Sequence, residues 1–142
     1  MKQASSTWRD DFPIRQEVED GCGQPRVFTI SCHEGELGFT VRAEEDGKEG
    51  GGYEFGAYSE TSPYDALGRV RMKMRRGLAT RYLSRASGSV GLLHDQMKGR
   101  IAWSQDHGIQ VVVDGVPLDM DDVRTILSAY EGLELTLTDA LD

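Results

Sequence analysis

The residues able to do soft-ligand chemistry are Cys22, Cys32, His33, His94 and His107. They contain every ligand type that zinc favours, but neither a C-x2-C nor an H-x3-H spacing is present, and a structural zinc site needs four converging ligands. No metal site is therefore expected, and the two cysteines read as free thiols of a reducing compartment. For nucleophilic catalysis, His94-Asp95 and Asp106-His107 are sequence neighbours, and neighbours do not converge on one substrate. Ser84, Ser87 and Ser89 precede His94 in loop-like sequence, and no G-x-S-x-G elbow occurs. The chain holds no Asn, which removes N-linked glycosylation and any Cys-His-Asn set. Gly50-Gly51-Gly52 precede a strand instead of opening a helix, and no Lys-Ser/Thr follows, so they read as a turn and not as a phosphate cradle. Asp119, Asp121 and Asp122 lack the Gly and terminal Glu of a calcium loop and fall where carboxylates offset a helix dipole. No catalytic residue, cofactor or metal is expected.

Charge is more informative. Ala66–Arg100 holds nine basic residues and one acid, whereas the other 107 positions hold seven basic residues and 23 acids. Clustered charge steers association and selects what can dock. The positive cluster coincides with a helix-like stretch on which Arg69, Lys73 and Arg76 recur on one side, Arg75 borders the apolar stripe and Arg71 falls within it. These five residues form the candidate partner-binding face. The acidic alternative is the turn containing Glu44, Glu45, Asp46 and Glu49, which would suit an immunity-type inhibitor that mimics nucleic acid towards a basic toxin or nuclease. A net charge of −8 argues against DNA binding by the whole surface. A protein partner is favoured over nucleic acid, and no membrane partner is expected.

The elements that must position these residues follow from periodicity and punctuation. Strand-like runs cover roughly 12–18, 26–32, 37–43 and 52–58, separated by turn chemistry. Ser62 caps a helix with Pro63 at its first position and Asp65 at its third, and Tyr64, Leu67, Val70, Met74, Leu78 and Tyr82 form its apolar stripe. Residues 84–91 read as a loop, and 100–104 and 109–113 as strands. Asp119 and Asp122 frame a second helix, with Leu118 stapling onto Val123 and with Val123, Ile126, Leu127 and Tyr130 apolar. Gly132 stops that helix, and Leu133, Leu135 and Leu137 alternate as a last strand. The order ββββ-α-ββ-α-β implies an α+β fold, a mainly antiparallel sheet with two helices on one face. Residues 1–11 are expected as a flexible lead-in and 12–142 as a single domain. The polar N-terminus lacks a secretory h-region and no apolar run of membrane-spanning length occurs, so a cytoplasmic location is expected.

The runs Gly51-Gly52-Tyr53-Glu54-Phe55, Leu67-Gly68-Arg69, Lys73-Met74-Arg75-Arg76-Gly77-Leu78-Ala79, Gly99-Arg100-Ile101-Ala102-Trp103, Val112-Val113-Asp114-Gly115 and Glu131-Gly132 occur in a distinctive order. In that order the sequence resembles a bacterial domain family of unknown function over about residues 12–139. Many members carry a four-cysteine, zinc-ribbon-like segment ahead of this domain. Here Cys22 falls where the family has a hairpin turn, so the resemblance implies no zinc site and no assigned activity. The functional expectation is a non-enzymatic protein-interaction module, an accessory or regulatory subunit with a charge-polarised surface. Nucleic-acid binding through the basic helix is a further alternative.

Overall fold

A computed structural model of the chain describes residues 7–48, 51–84, 90–136 and 138. The architecture is α+β, and its strands pair antiparallel throughout. Among the described residues the chain divides into two compact units, one of 7–46 with 54–79 and the other of 47–53 with 80–138. The sequence pattern suggested a single domain over 12–142. The two larger sheets are separate, one packed with the first helix and the other with the second.

In the first unit β1 (Ile14–Glu19), β2 (Pro25–Glu34), β3 (Phe39–Glu45) and β4 (Glu54–Ser59) form a meander in sequence order. Side chains alternate across a strand, so the register places Ile30, Ala43 and Phe55 on one face with Cys32, Val41 and Ala57. Phe28, Ile30, Val41, Ala43 and Ala57 of that face are buried. Helix α1 (Pro63–Ala79) lies over β3 and β4 and buries Ala66, Leu67, Val70, Met74 and Leu78. Ser62 Oγ accepts from the backbone N–H of Tyr64 at 3.1 Å and of Asp65 at 3.4 Å, so the cap forms where the sequence placed it. The 3-10 turn Trp8–Asp10 precedes β1, and Trp8 meets Phe12 and Phe39 edge-on. Ordered packing therefore reaches into the expected lead-in; residues 1–6 lie outside the described residues.

The buried face of α1 is rotated from the one its large apolar residues suggested. Tyr64 is exposed, and its hydroxyl donates to the Asp11 carboxylate. The helix instead turns its smallest residues to the sheet: Ala66 is fully buried, and a Cβ at Gly77 would stand 2.6 Å from the Phe55 ring. Close approach selects small side chains, which a hydrophobicity-weighted stripe undercounts.

In the second unit β5 (Leu83–Ser84) pairs with β6 (Gly91–Leu92), two short strands at the two ends of the expected loop. Strands β7 (Arg100–Ser104), β8 (Gly108–Val113) and β9 (Val116–Leu118) form a sheet in that order. Helix α2 (Met120–Ser128) opens with a complete capping box between Asp119 and Asp122. Leu83, Val113, Leu118, Val123 and Ile126 form this unit's core. Asp114 and Gly115, both at positive φ, make the two-residue turn between β8 and β9, as their types favour. The Asp114 carboxylate accepts from the backbone N–H groups of Tyr82 and Leu83, which fixes the entry to β5. Segment 51–53 serves this unit: Gly52 N–H donates to Gly115 O at 2.8 Å, and Arg100 donates to the carbonyls of Gly51 and Gly52.

The expected last strand and part of the second apolar stripe do not form among the described residues. Residues 133–136 are not in a strand, Leu133 and Leu127 are half exposed, and Leu135 is 76% exposed; Leu137 lies outside the described residues. A two-residue turn is flanked by a hydrogen-bonded pair, here Val113 and Val116, so the next residue, Pro117, turns its nitrogen to the outer edge. Without that N–H, β9 is a poor template for a further strand. Leu67→Ala should accordingly cost about 2–5 kcal/mol, whereas Leu135→Ala should stay within about 0.5 kcal/mol of the parent. Urea midpoints measure both, and a large loss at Leu135 would contradict this placement.

Candidate functional site

The candidate face is the outer side of α1. At about 100° per residue, Arg69, Met72, Arg75 and Arg76 fall away from the buried stripe, and all four are exposed. Met72, 44% exposed, lies between the arginines three positions before it and three and four after it. Tyr64, about two turns before Met72, is also exposed. The face is thus cationic around an apolar centre, not uniformly charged.

The five basic residues divide on closer view. Arg69 donates to the Asp65 carboxylate at 2.7 Å, one turn earlier, and that hydrogen bond holds the Asp65 carboxyl below its ordinary pKa. Lys73, expected on the solvated side, is half-buried, and its ammonium donates to Gly56 O of β4 at 2.7 Å. The shifted burial of α1 explains this, because the side of Lys73 now borders the sheet and its long stem carries the charge to the rim. Arg71, expected to escape the stripe in the same way, is half-buried and donates through Nε to Gln16 of β1 at 3.1 Å. Arg75 and Arg76 point outward from the helix and, with Arg69, define its exposed charge.

The acidic alternative is dispersed. Glu44 is exposed, but the Glu45 side chain is only 3% exposed and pairs with Arg26 at 2.9 Å. Asp46 accepts from Thr29 Oγ1 at 2.6 Å and from Arg15 at 2.9 Å, and the Thr29 bond, followed by Arg15, lowers its carboxyl pKa. Glu49 lies outside the described residues. Asp20 is held low chiefly by its bond from Arg26, which therefore bridges Asp20 and Glu45. These positions belong to the internal architecture of the first unit more than to its surface, and no composition signal separated Glu45 from its neighbours.

Other candidates stay apart. Cys22 is exposed and Cys32 half-buried, both as free thiols, and burial pushes the Cys32 thiol up. Among the described residues no three His, Cys, Asp or Glu side chains are grouped to hold a metal ion. His33, His94 and His107 are exposed. Asp119 and Asp122 cap α2, and Asp121 pairs with Arg124 at 2.8 Å. Gly51 N–H donates to Lys48 O, as in a turn, while Gly50, Ser87 and Ser89 lie outside the described residues. No helix among the described residues is long and apolar enough to cross a membrane.

One surface was missed at the level of sequence. On β7 and β8, Ile101 is 66%, Trp103 69% and Ile109 54% exposed, and Trp103 stands directly opposite Ile109. The alternation of Ile101 and Trp103 marks a shared face, but alternation does not tell an exposed apolar face from a buried one.

Comparison with known families divides the chain much as the fold does. Residues 10–79 match a family described as Domain of unknown function (DUF7686), and residues 82–140 match Domain of unknown function (DUF7713). The resemblance to uncharacterised domains thus holds, distributed over two adjoining family descriptions. No curated protein and no solved structure matches the chain.

Proposed function

We propose that these two adjoining domains of unknown function make up a non-enzymatic protein-interaction module, which docks an acidic partner on the outer face of α1. The observation that carries the reading is Met72, half exposed within the triangle of Arg69, Arg75 and Arg76. An adaptable thioether on a helix face shared with three arginines suits a partner segment that is acidic and apolar in turn. Polyanion binding is less well served, because Asp65 partly neutralises Arg69 and Lys73 faces the sheet edge. The shifted carboxylates also have structural explanations, Asp20 and Asp46 in strand-connecting turns and Asp65 in a helix ion pair, which supports a binding role over an active site. We assign the module to the cytoplasm, where its two thiols would remain reduced.

Placing a photo-cross-linking amino acid at Met72 in cells of the source organism tests the reading. One protein with an acidic segment should be captured, and Arg75→Glu with Arg76→Glu should lower its yield about 10-fold or more. The fold should survive, because exposed charges contribute little to stability. Equal capture from the same cross-linker placed at Glu44, or a yield indifferent to the reversal, would sink it.

A further inference from the structure

We infer that a second copy of this chain pairs with β7 edge to edge, which extends the β7–β8–β9 sheet across a two-fold axis. This surface is independent of the α1 face. Sheet edges carry unpaired backbone groups, and proteins guard them with charge, proline or cover. Three edges here are guarded. Strand β1 bears Arg15, Glu17 and Glu19, all exposed. At β4 the Lys73 ammonium occupies the Gly56 carbonyl. At β9 Pro117 removes the donor.

Among the described residues β7 has no proline and no further strand beside it, and its one charge, Arg100, turns to the carbonyls of Gly51 and Gly52. Val113 and Val111 bond towards β9, so by alternation Val112 and Gln110 bond towards β7 through Arg100 and Ala102. Ile101 and Trp103 therefore point their N–H and C=O groups at the outer edge, and these two are also its exposed apolar side chains. The edge is self-complementary. An antiparallel pairing centred on Ala102 sets Ile101 against Trp103 of the partner subunit, and Trp103 against Ile101 of the partner subunit. Both pairs can exchange backbone hydrogen bonds, and with Ile109 they form one apolar surface on one face of the joined sheet. The same register brings Lys98 towards Asp106 of the partner subunit, twice by symmetry. Both side chains are exposed, and neither forms an ion pair with another described residue. An isologous contact of this kind closes on itself and stops at two copies. The patch is small, so the dimer should be weak, in the micromolar range.

Sedimentation of the full chain at moderate salt over a concentration series should show a monomer–dimer equilibrium. Ile101→Lys should raise the dissociation constant about 10-fold or more. Lys98→Asp alone and Asp106→Lys alone should each weaken the dimer, and the double exchange Lys98→Asp/Asp106→Lys should return it to within about 3-fold of the parent. All three substituted positions are exposed, and circular dichroism checks that the fold persists. A strictly monomeric chain at high concentration overturns the proposal. So does a dimer indifferent to Ile101→Lys, or one that the double exchange does not restore. An edge occupied instead by an extended segment of another protein would appear as a monomer alone and a one-to-one complex with that protein, which also rejects the second copy.

Discussion

Arg26→Met should lower the stability of the first unit by about 3–5 kcal/mol, because it leaves a carboxylate buried without its counter-ion. Arg26 donates through Nη1 to both oxygens of Glu45, at 3.2 and 2.9 Å, and through Nε to Asp20 at 2.9 Å. The Asp20 carboxylate also accepts from the backbone N–H groups of Cys22 and Gln24, so one guanidinium links the β1–β2 turn to the end of β3. The double variant Arg26→Met/Glu45→Leu should recover most of the loss, since removing both charges removes the desolvation problem as well. Acid sensitivity supplies a second readout. Arg26 lowers the Asp20 pKa, so the resulting stabilisation is present above the ordinary aspartate pKa and is lost as pH falls through the depressed one. Arg26→Met should therefore flatten the acid limb of the stability profile. Trp8, packed on Phe12 and Phe39, reports unfolding of this unit in a Trp103→Phe background. A loss below about 1 kcal/mol, or no recovery in the double variant, would mean that the buried pair is not structured as described.

Phe28→Ala should be comparably severe, at about 3–5 kcal/mol, through loss of transfer energy and the cavity left behind. Phe28 is fully buried on β2, with its ring centroid 6.0 Å from that of Phe55. Phe55 in turn blocks the space beside Gly77 of α1, so the vacancy would open under the helix and could be filled only by shifting it. Phe28→Leu should retain much of the stability because it keeps most of the volume. The same tryptophan fluorescence in urea measures both, and equal midpoints for the Ala variant and the parent would contradict the assigned core.

What the sequence made legible was local. Ser62, Pro63 and Asp65 announced α1, Asp119 and Asp122 announced α2, and Asp114-Gly115 marked its hairpin, because each acts on the backbone within a few residues. Choices that depend on a distant neighbour were not legible. The orientation of α1 depends on how closely Phe55 allows Gly77 to approach, so Tyr64 appeared buried and Lys73 solvated. Leu133 and Leu135 alternate like a strand, yet alternation supplies no edge to pair with. At the candidate face, the arginines were legible as a cluster. That Arg71 and Lys73 turn to the sheet was not, because it rests on Gln16 and Gly56, which are far away in sequence.

The segment that leaves β3 and returns as β4 carries a consequence for anyone who cuts this chain. Families that match 10–79 and 82–140 invite expression of the two halves as separate proteins. Yet the stretch between β3 and β4 works as a strap of the second unit, where Gly52 bonds Gly115, and Gly51 and Gly52 receive Arg100. A fragment beginning after α1 would have to fold without that strap, with the Arg100 guanidinium deprived of both carbonyls. The boundary written in the sequence is not the boundary drawn by the bonds. A fragment that joins 47–53 through a linker directly to 80–138 would respect the latter.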